Sequence, residues 1–308
     1  MSSFTLKSIF QSSSSLFAVV LLSVAPLAQA ASSFYATQEL QSQYPQAFAL
    51  QPEAQAFVET AQAKTIEDAN KLVELILADD DLVSALSNWR QLSIDQQIPH
   101  LRKVFALEYR SMGIKKPKLV IDNHSYPNKM VYFDFNPLDF SPLVADTNQL
   151  KTGTVYLNPE KLATQDKFAS LAFLIHETRH SYQFQLGQIA QKKEEDVLLA
   201  SGYVAAFNAQ KSLTGFGFSD FLTLLNEYEA FQYGNYVLGR LTHWKLDLTS
   251  MGTFASQFDS HGQLKIDLLQ LSSDKHHGDT IAPQPSLLEK YNQAAKAQYQ
   301  QRQAAKTL

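Results

Sequence analysis

The sequence predicts an α+β protein, mainly helical, with one small mixed β-sheet. Three observations lead there. Apolar residues recur at spacings of three and four over residues 38–112, and the helical pattern returns from residue 166 to 241. Between these stretches lie three short runs rich in β-branched and aromatic residues, 119–121, 131–135 and 154–157, separated by Gly, Pro and Asn. The chain has 308 residues, 45% of them hydrophobic, and this is long enough to bury a sizeable core.

The first thirty residues read as an address. Lys7 is their only charge, an apolar run spans Leu16 to Ala25, and Ala28-Gln29-Ala30 gives a small-x-small cleavage pattern. That run is about half of the roughly 20 residues a membrane helix needs. Residues 1–30 are therefore expected to be a secretory signal peptide. No later segment is apolar for long enough to span a bilayer, so the mature protein is expected in the periplasm or secreted, with no membrane span. Lys and Arg number 26 against 30 Asp and Glu, a formal net charge of −4. With no basic surplus to neutralise phosphates, nucleic acid is excluded as a partner. The absence of cysteine excludes disulfides, thiol catalysis, zinc ribbons, iron–sulfur clusters and a lipid anchor on Cys.

Residues 31–115 form a helical N-terminal region, with Leu72, Ile76, Leu82, Leu86 and Trp89 among its apolar positions. Asp79-Asp80-Asp81 reads as a helix end and the next cap, because the Gly and Glu of a calcium loop are missing. Ser93 opens a helix whose buried stripe is Leu101, Val104, Phe105 and Leu107, and Gly113 stops it. Residues 116–308 form the second region, expected to pack with the first as one unit. Asn158-Pro159 reads as an N-cap followed by Pro at the first helical position. Helices follow over about 166–185, 191–213 (closed by Gly215) and 219–241 (capped by Ser219), and a last amphipathic one over 287–303. The stretch 247–286 reads as mixed loop, and no internal repeat is present.

Within the first of these helices runs His176-Glu177-Thr178-Arg179-His180, an HExxH motif behind five largely apolar residues. Positions i and i+4 share a helix face, so both histidines can direct a nitrogen at one ion. Glu177 lies beside that face, where a carboxylate can reach a metal-bound water without taking a coordination position. Zinc lowers the pKa of such a water to about 7. Two histidines need a further protein ligand. The extension HExxHxxGxxH is missing, since Gln183 and Leu186 stand at its Gly and third His. The best source is Asn226-Glu227-Tyr228-Glu229-Ala230, where two Glu sit in an otherwise apolar, aromatic helix. They lie about 200° apart around the axis, so only one can face the metal.

On these residues the chain resembles the zincin metallopeptidases, of the gluzincin kind whose third ligand is a Glu on a later helix. The resemblance covers residues 150–240. It implies a zincin-like fold with the sheet next to the HExxH helix, a zinc ion held by His176, His180 and a Glu, Glu177 as general base, and a peptide or protein substrate. The pattern E-x-x-A selects Glu227, while N-E-A selects Glu229. Phe231 stands where an Asp often follows, so the usual carboxylate partner of a ligand His is missing. The resemblance also implies that the strand upstream of the motif, Thr154–Leu157, is a sheet edge on which an extended peptide docks. Oxyanion donors are sought among Tyr233, Tyr236, Arg240 and His243, with Tyr236 and His243 the leading candidates. The sequence leaves the oligomeric state open. The rival reading is a secreted, non-catalytic scaffold that binds a peptide or protein in the same groove.

Overall fold

The computed structural model describes residues 35–141, 143–246, 257–273 and 284–306. The segment 1–30 lies outside these residues, as does part of the stretch read as mixed loop. The fold is α+β: of the described residues 63% are helical, and they contain a single three-stranded mixed sheet. In chain order the elements are α1 (Gln38–Gln41), α2 (Gln55–Leu77), α3 (Asp80–Ser87), α4 (Ile94–Ser111), β1 (Lys118–Ile121), β2 (Val131–Asp134), β3 (Thr154–Leu157), α5 (Pro159–Leu162), α6 (Ala169–Leu186), α7 (Glu194–Ser212), α8 (Phe218–Leu222), α9 (Leu225–Leu241), α10 (Leu268–Ser273) and α11 (Leu287–Lys306).

Local chemistry explains most boundaries. Asp79 caps α3 by accepting from the Leu82 amide at 3.1 Å, which accounts for the acidic triplet without calcium. Ser93 and Gln96 form a reciprocal capping box at the start of α4. Asn158 caps α5 through the Lys161 amide at 3.2 Å, with Pro159 in the first turn. One expected helix is in fact two. The chain breaks between α8 and α9 because the Thr223 carbonyl accepts from the Ala49 amide at 2.7 Å instead of continuing the ladder. Phe48 bridges Leu224 there, and Leu224 takes an extended conformation with ψ 137°. Gly217, not Ser219, precedes the first residue of α8; Ser219 is buried inside it. The break sets Glu227 in the first turn of α9, where the positive end of the helix favours a carboxylate. The stretch read as mixed loop also contains the short helix α10.

The sheet order is β1-β3-β2, with β1 parallel and β2 antiparallel to the central strand. This corrects the expectation for Thr154–Leu157. That strand is the middle one, and its Val155, Tyr156 and Leu157 are buried, as suits a strand flanked on both sides. The edge nearest the motif is β2, with Phe133 opposite Val155 and Tyr132 opposite Tyr156.

Helix α6 is the centre of the molecule. It packs on β2 and β3, and on α4, α7 and α9, while α2 lies against α4, α7 and α9. Buried positions run almost without a gap from Ala169 to Gln185. A helix enclosed on all sides needs every polar side chain partnered. Ser170 donates to Gln97 Oε1 at 2.6 Å, Ser181 to the Thr152 carbonyl at 2.7 Å, and Gln185 exchanges bonds with the Lys115 backbone. Beside Thr152, Gly153 has φ +68°, and a Cβ there would lie 2.3 Å from the Phe133 ring. Only glycine lets that ring close over the sheet and reach His180, centroid to centroid 5.8 Å.

Candidate metal centre

The structure brings His176, His180 and Glu227 together. His176 Nε2 lies 3.0 Å from His180 Nε2, and Glu227 Oε2 lies 3.2 Å from the first and 3.4 Å from the second. A tetrahedral zinc with bonds of about 2.0–2.1 Å sets its ligand atoms about 3.3–3.4 Å apart. The donor triangle already has that size and the His₂Glu chemistry of a catalytic zinc site. These three are the group of His, Asp and Glu side chains among the described residues that could hold a metal ion. All are buried, at 5%, 3% and 3% exposure. The residues therefore fit a metal ion.

Electrostatics in the metal-free protein follow from this crowding. Burial and His180 hold the His176 ring below the ordinary imidazole range. Burial acts on His180 in the same sense, but the Glu227 carboxylate outweighs it and raises that ring to about 9. Burial raises Glu227 too, yet His180 and hydrogen bonds from both rings carry it down to about 2. Glu177 is different. Burial dominates and pushes its carboxyl up to about 8, with His180 and Lys129 pulling the other way. The Glu177 carboxyl makes no hydrogen bond to another described residue. It is next to His176 in sequence and outside the donor triangle, as the motif geometry predicts.

Glu229, the other candidate ligand, faces away from the triangle. It accepts from Arg179 Nε at 2.9 Å, lies 2.8 Å from Arg179 Nη2, and also accepts from Thr65 Oγ1 and Gln183 Nε2, each at 2.6 Å. Arg179 donates in addition to Asp68 Oδ2 at 3.1 Å and stacks on the Tyr182 and Tyr233 rings. One carboxylate of the pair thus faces the histidines, and the other neutralises a fully buried guanidinium.

The partner that orients His180 is Gln183, which stands where the extended motif would carry its glycine. The His180 Nδ1 to Gln183 Oε1 distance is 2.8 Å. The amide cannot be turned round, because its Nε2 already serves the Asn226 carbonyl at 2.9 Å and Glu229. The oxygen must accept, so Nδ1 carries the proton and Nε2 of a neutral ring is left free for a metal. A second residue missed in the sequence is Gln210 of α7, which donates to Glu227 Oε1 at 3.0 Å and accepts from Asn226. The i+3 spacing of Gln183 from His180 was the available signal; nothing in the sequence marks Gln210.

The structure does not bring the leading oxyanion candidates to the site. Tyr236 lies nine residues beyond Glu227, about 13 Å along α9. Its hydroxyl points at Asn70 of α2, and Arg240 shares that partner. His243 is exposed beyond the end of α9, with φ 52°. Tyr233 is buried over Arg179. The side chain of α9 that does touch a ligand is Phe231, whose ring lies 4.2 Å from that of His176. No family model, curated protein or solved structure matches the chain.

Proposed function

We propose that the protein is a zinc-dependent hydrolase, a metallopeptidase of the gluzincin kind that acts on peptide or protein substrates in the periplasm or outside the cell. The observation that carries this reading is the convergence of three donor atoms from two helices into a zinc-sized triangle, with an unbonded carboxylate, Glu177, beside it. His176, His180 and Glu227 would hold the ion, which when bound supplies Lewis acidity to a water and to a substrate carbonyl. Glu177 takes the proton of the attacking water and passes it to the leaving amine. Phe133 and Phe231 close two sides of the ligand rings against bulk water. The outer edge of β2, which pairs with no further strand among the described residues, is the place for an extended substrate to add by main-chain hydrogen bonds, the role first expected of Thr154–Leu157. The secretory segment at 1–30 supports the location.

The rival reading, a metal-binding scaffold without catalysis, draws on Tyr236 and His243 lying away from the site. Glu177→Gln separates the two. For the enzyme, we expect zinc at about one per chain in both proteins, and peptide hydrolysis only in the wild type. Hydrolysis that survives Glu177→Gln removes the proposed mechanism, and a folded wild type that takes up no zinc removes the metallopeptidase.

A further inference from the structure

Two lysines beside the metal centre are explained neither by the fold nor by the hydrolytic machinery. Lys129 lies in the turn leading into β2, and Lys211 in the last turn of α7. Both ammonium groups sit against the ring of Tyr132, at 4.8 Å and 5.8 Å from its centroid. Lys211 donates to the Tyr132 hydroxyl at 3.3 Å and lies 4.4 Å from the centre of the Phe135 ring. Both are half-buried. The ion pairs among the described residues use Lys64, Lys71, Arg90, Lys103, Arg179 and histidines, and neither of these two. Partial burial and the charge of Lys211 hold Lys129 below the ordinary lysine range, while Glu177 pulls it upward, so Lys129 and Glu177 feel one another. Gln210, next to Lys211, touches Glu227.

Two like charges held together, partly out of water and without a counter-ion, are a cost that an incoming anion relieves. Their position selects the anion, because Tyr132 lies on β2, the edge along which an extended peptide would run. We propose that Lys129, Lys211 and the Tyr132 hydroxyl form a subsite for a carboxylate of the bound peptide, adjoining the bond that is cleaved. The subsite rests on the metallopeptidase reading for its purpose, but binding can be measured without turnover. The carboxylate has two possible sources, the chain's C-terminus or an Asp or Glu side chain.

The test is fluorescence anisotropy on Glu177→Gln protein, with and without zinc, using three labelled random hexapeptide pools. One has a free C-terminus and no acidic residue, one is its C-terminal amide, and one is amidated with Asp or Glu at one position. We expect at least one anionic pool to bind about ten-fold tighter than the neutral amide, as charge-assisted hydrogen bonds allow. The pool preferred identifies the source. The preference should disappear in Lys129→Met/Lys211→Met, shrink in each single variant and survive in Lys211→Arg, with folding checked by thermal melting. Equal binding of charged and neutral pools, no binding at all, or an undiminished preference in the folded methionine variants overturns the subsite. Failure of the wild type to hydrolyse any pool overturns the hydrolase and leaves the binding result standing.

Discussion

Two positions along α9, about 200° around its axis, separate a carboxylate that meets two histidines from one that meets an arginine. The substitutions at these positions should therefore read out differently. Glu227→Gln should abolish tight zinc binding and leave the Arg179 cluster intact. Glu229→Ala breaks one of the two ion pairs of a fully buried guanidinium, leaving it Asp68, and should cost about 3–5 kcal/mol, visible as a large loss in chemical denaturation. Gln183→Met keeps the volume and removes the acceptor for His180 Nδ1. We expect zinc affinity to fall about 10–100-fold in chelator competition, the loss typical of an orienting partner of a ligand histidine, with the protein still folded. At this scale the sequence was legible where chemistry repeats at helical spacing. His176, Glu177 and His180 follow from the motif, and Glu227 from its neighbours on α9. Thr65 and Asp68 were not legible, because they reach Glu229 and Arg179 respectively from a helix more than a hundred residues away, through packing that no local pattern encodes.

At the scale of elements, α6 inverts the usual arrangement in which a helix shows one apolar stripe. Its apolar approach to the motif was readable, as were the helical period of α2 to α4 and the caps at Asp79, Ser93 and Asn158. The position of β3 inside the sheet was not, since strand order depends on crossovers and not on composition. The break before α9 was not readable either, since it is made by a hydrogen bond from Ala49. One buried acid on α4 belongs to this layer. Glu108 is fully buried close to Arg179, whose charge Glu229 and Asp68 already meet; burial drives its carboxyl well above the usual range, against the pull of Arg179. A carboxyl with a raised folded pKa binds protons more tightly folded than unfolded. Stability is therefore fullest below its unfolded value, about 4.3, and declines as the pH rises toward the folded value. Glu108→Gln cannot titrate. It should melt higher than the wild type near neutral pH, by about 1 kcal/mol, or some 2–4 °C. The gap should close near pH 4. A gap independent of pH would mean that packing, and not the proton, sets the effect.

For the molecule as a whole, the donor triangle of His176, His180 and Glu227 links α6 to α9, and the apolar core does not depend on it. That core runs continuously from Phe48 and Phe57 through Leu101 and Phe105 to Phe184, Phe207 and Tyr233. At about 1.5–3 kcal/mol for each fully buried large side chain, it exceeds anything one ion contributes. The chain should accordingly fold without zinc, unlike small domains whose folding is the metal-binding event. Glu227 Oε2 lies within ion-pair distance of both histidine rings, 3.2 Å from His176 and 3.4 Å from His180, so these side chains also meet one another across α6 and α9. On the proposed reading zinc adds linkage energy alone, because a site formed in the folded chain is absent from the unfolded one. At a free concentration a hundred-fold above its dissociation constant, that is about 2.7 kcal/mol. For a chain of this size we expect a melting temperature about 5–10 °C higher with zinc than with a chelator. The shift should be absent in Glu227→Gln and retained in Glu177→Gln. A wild type that unfolds outright on chelation would show that the histidine–carboxylate contacts cannot hold α6 and α9 together alone, and would make the metal a structural part of the fold.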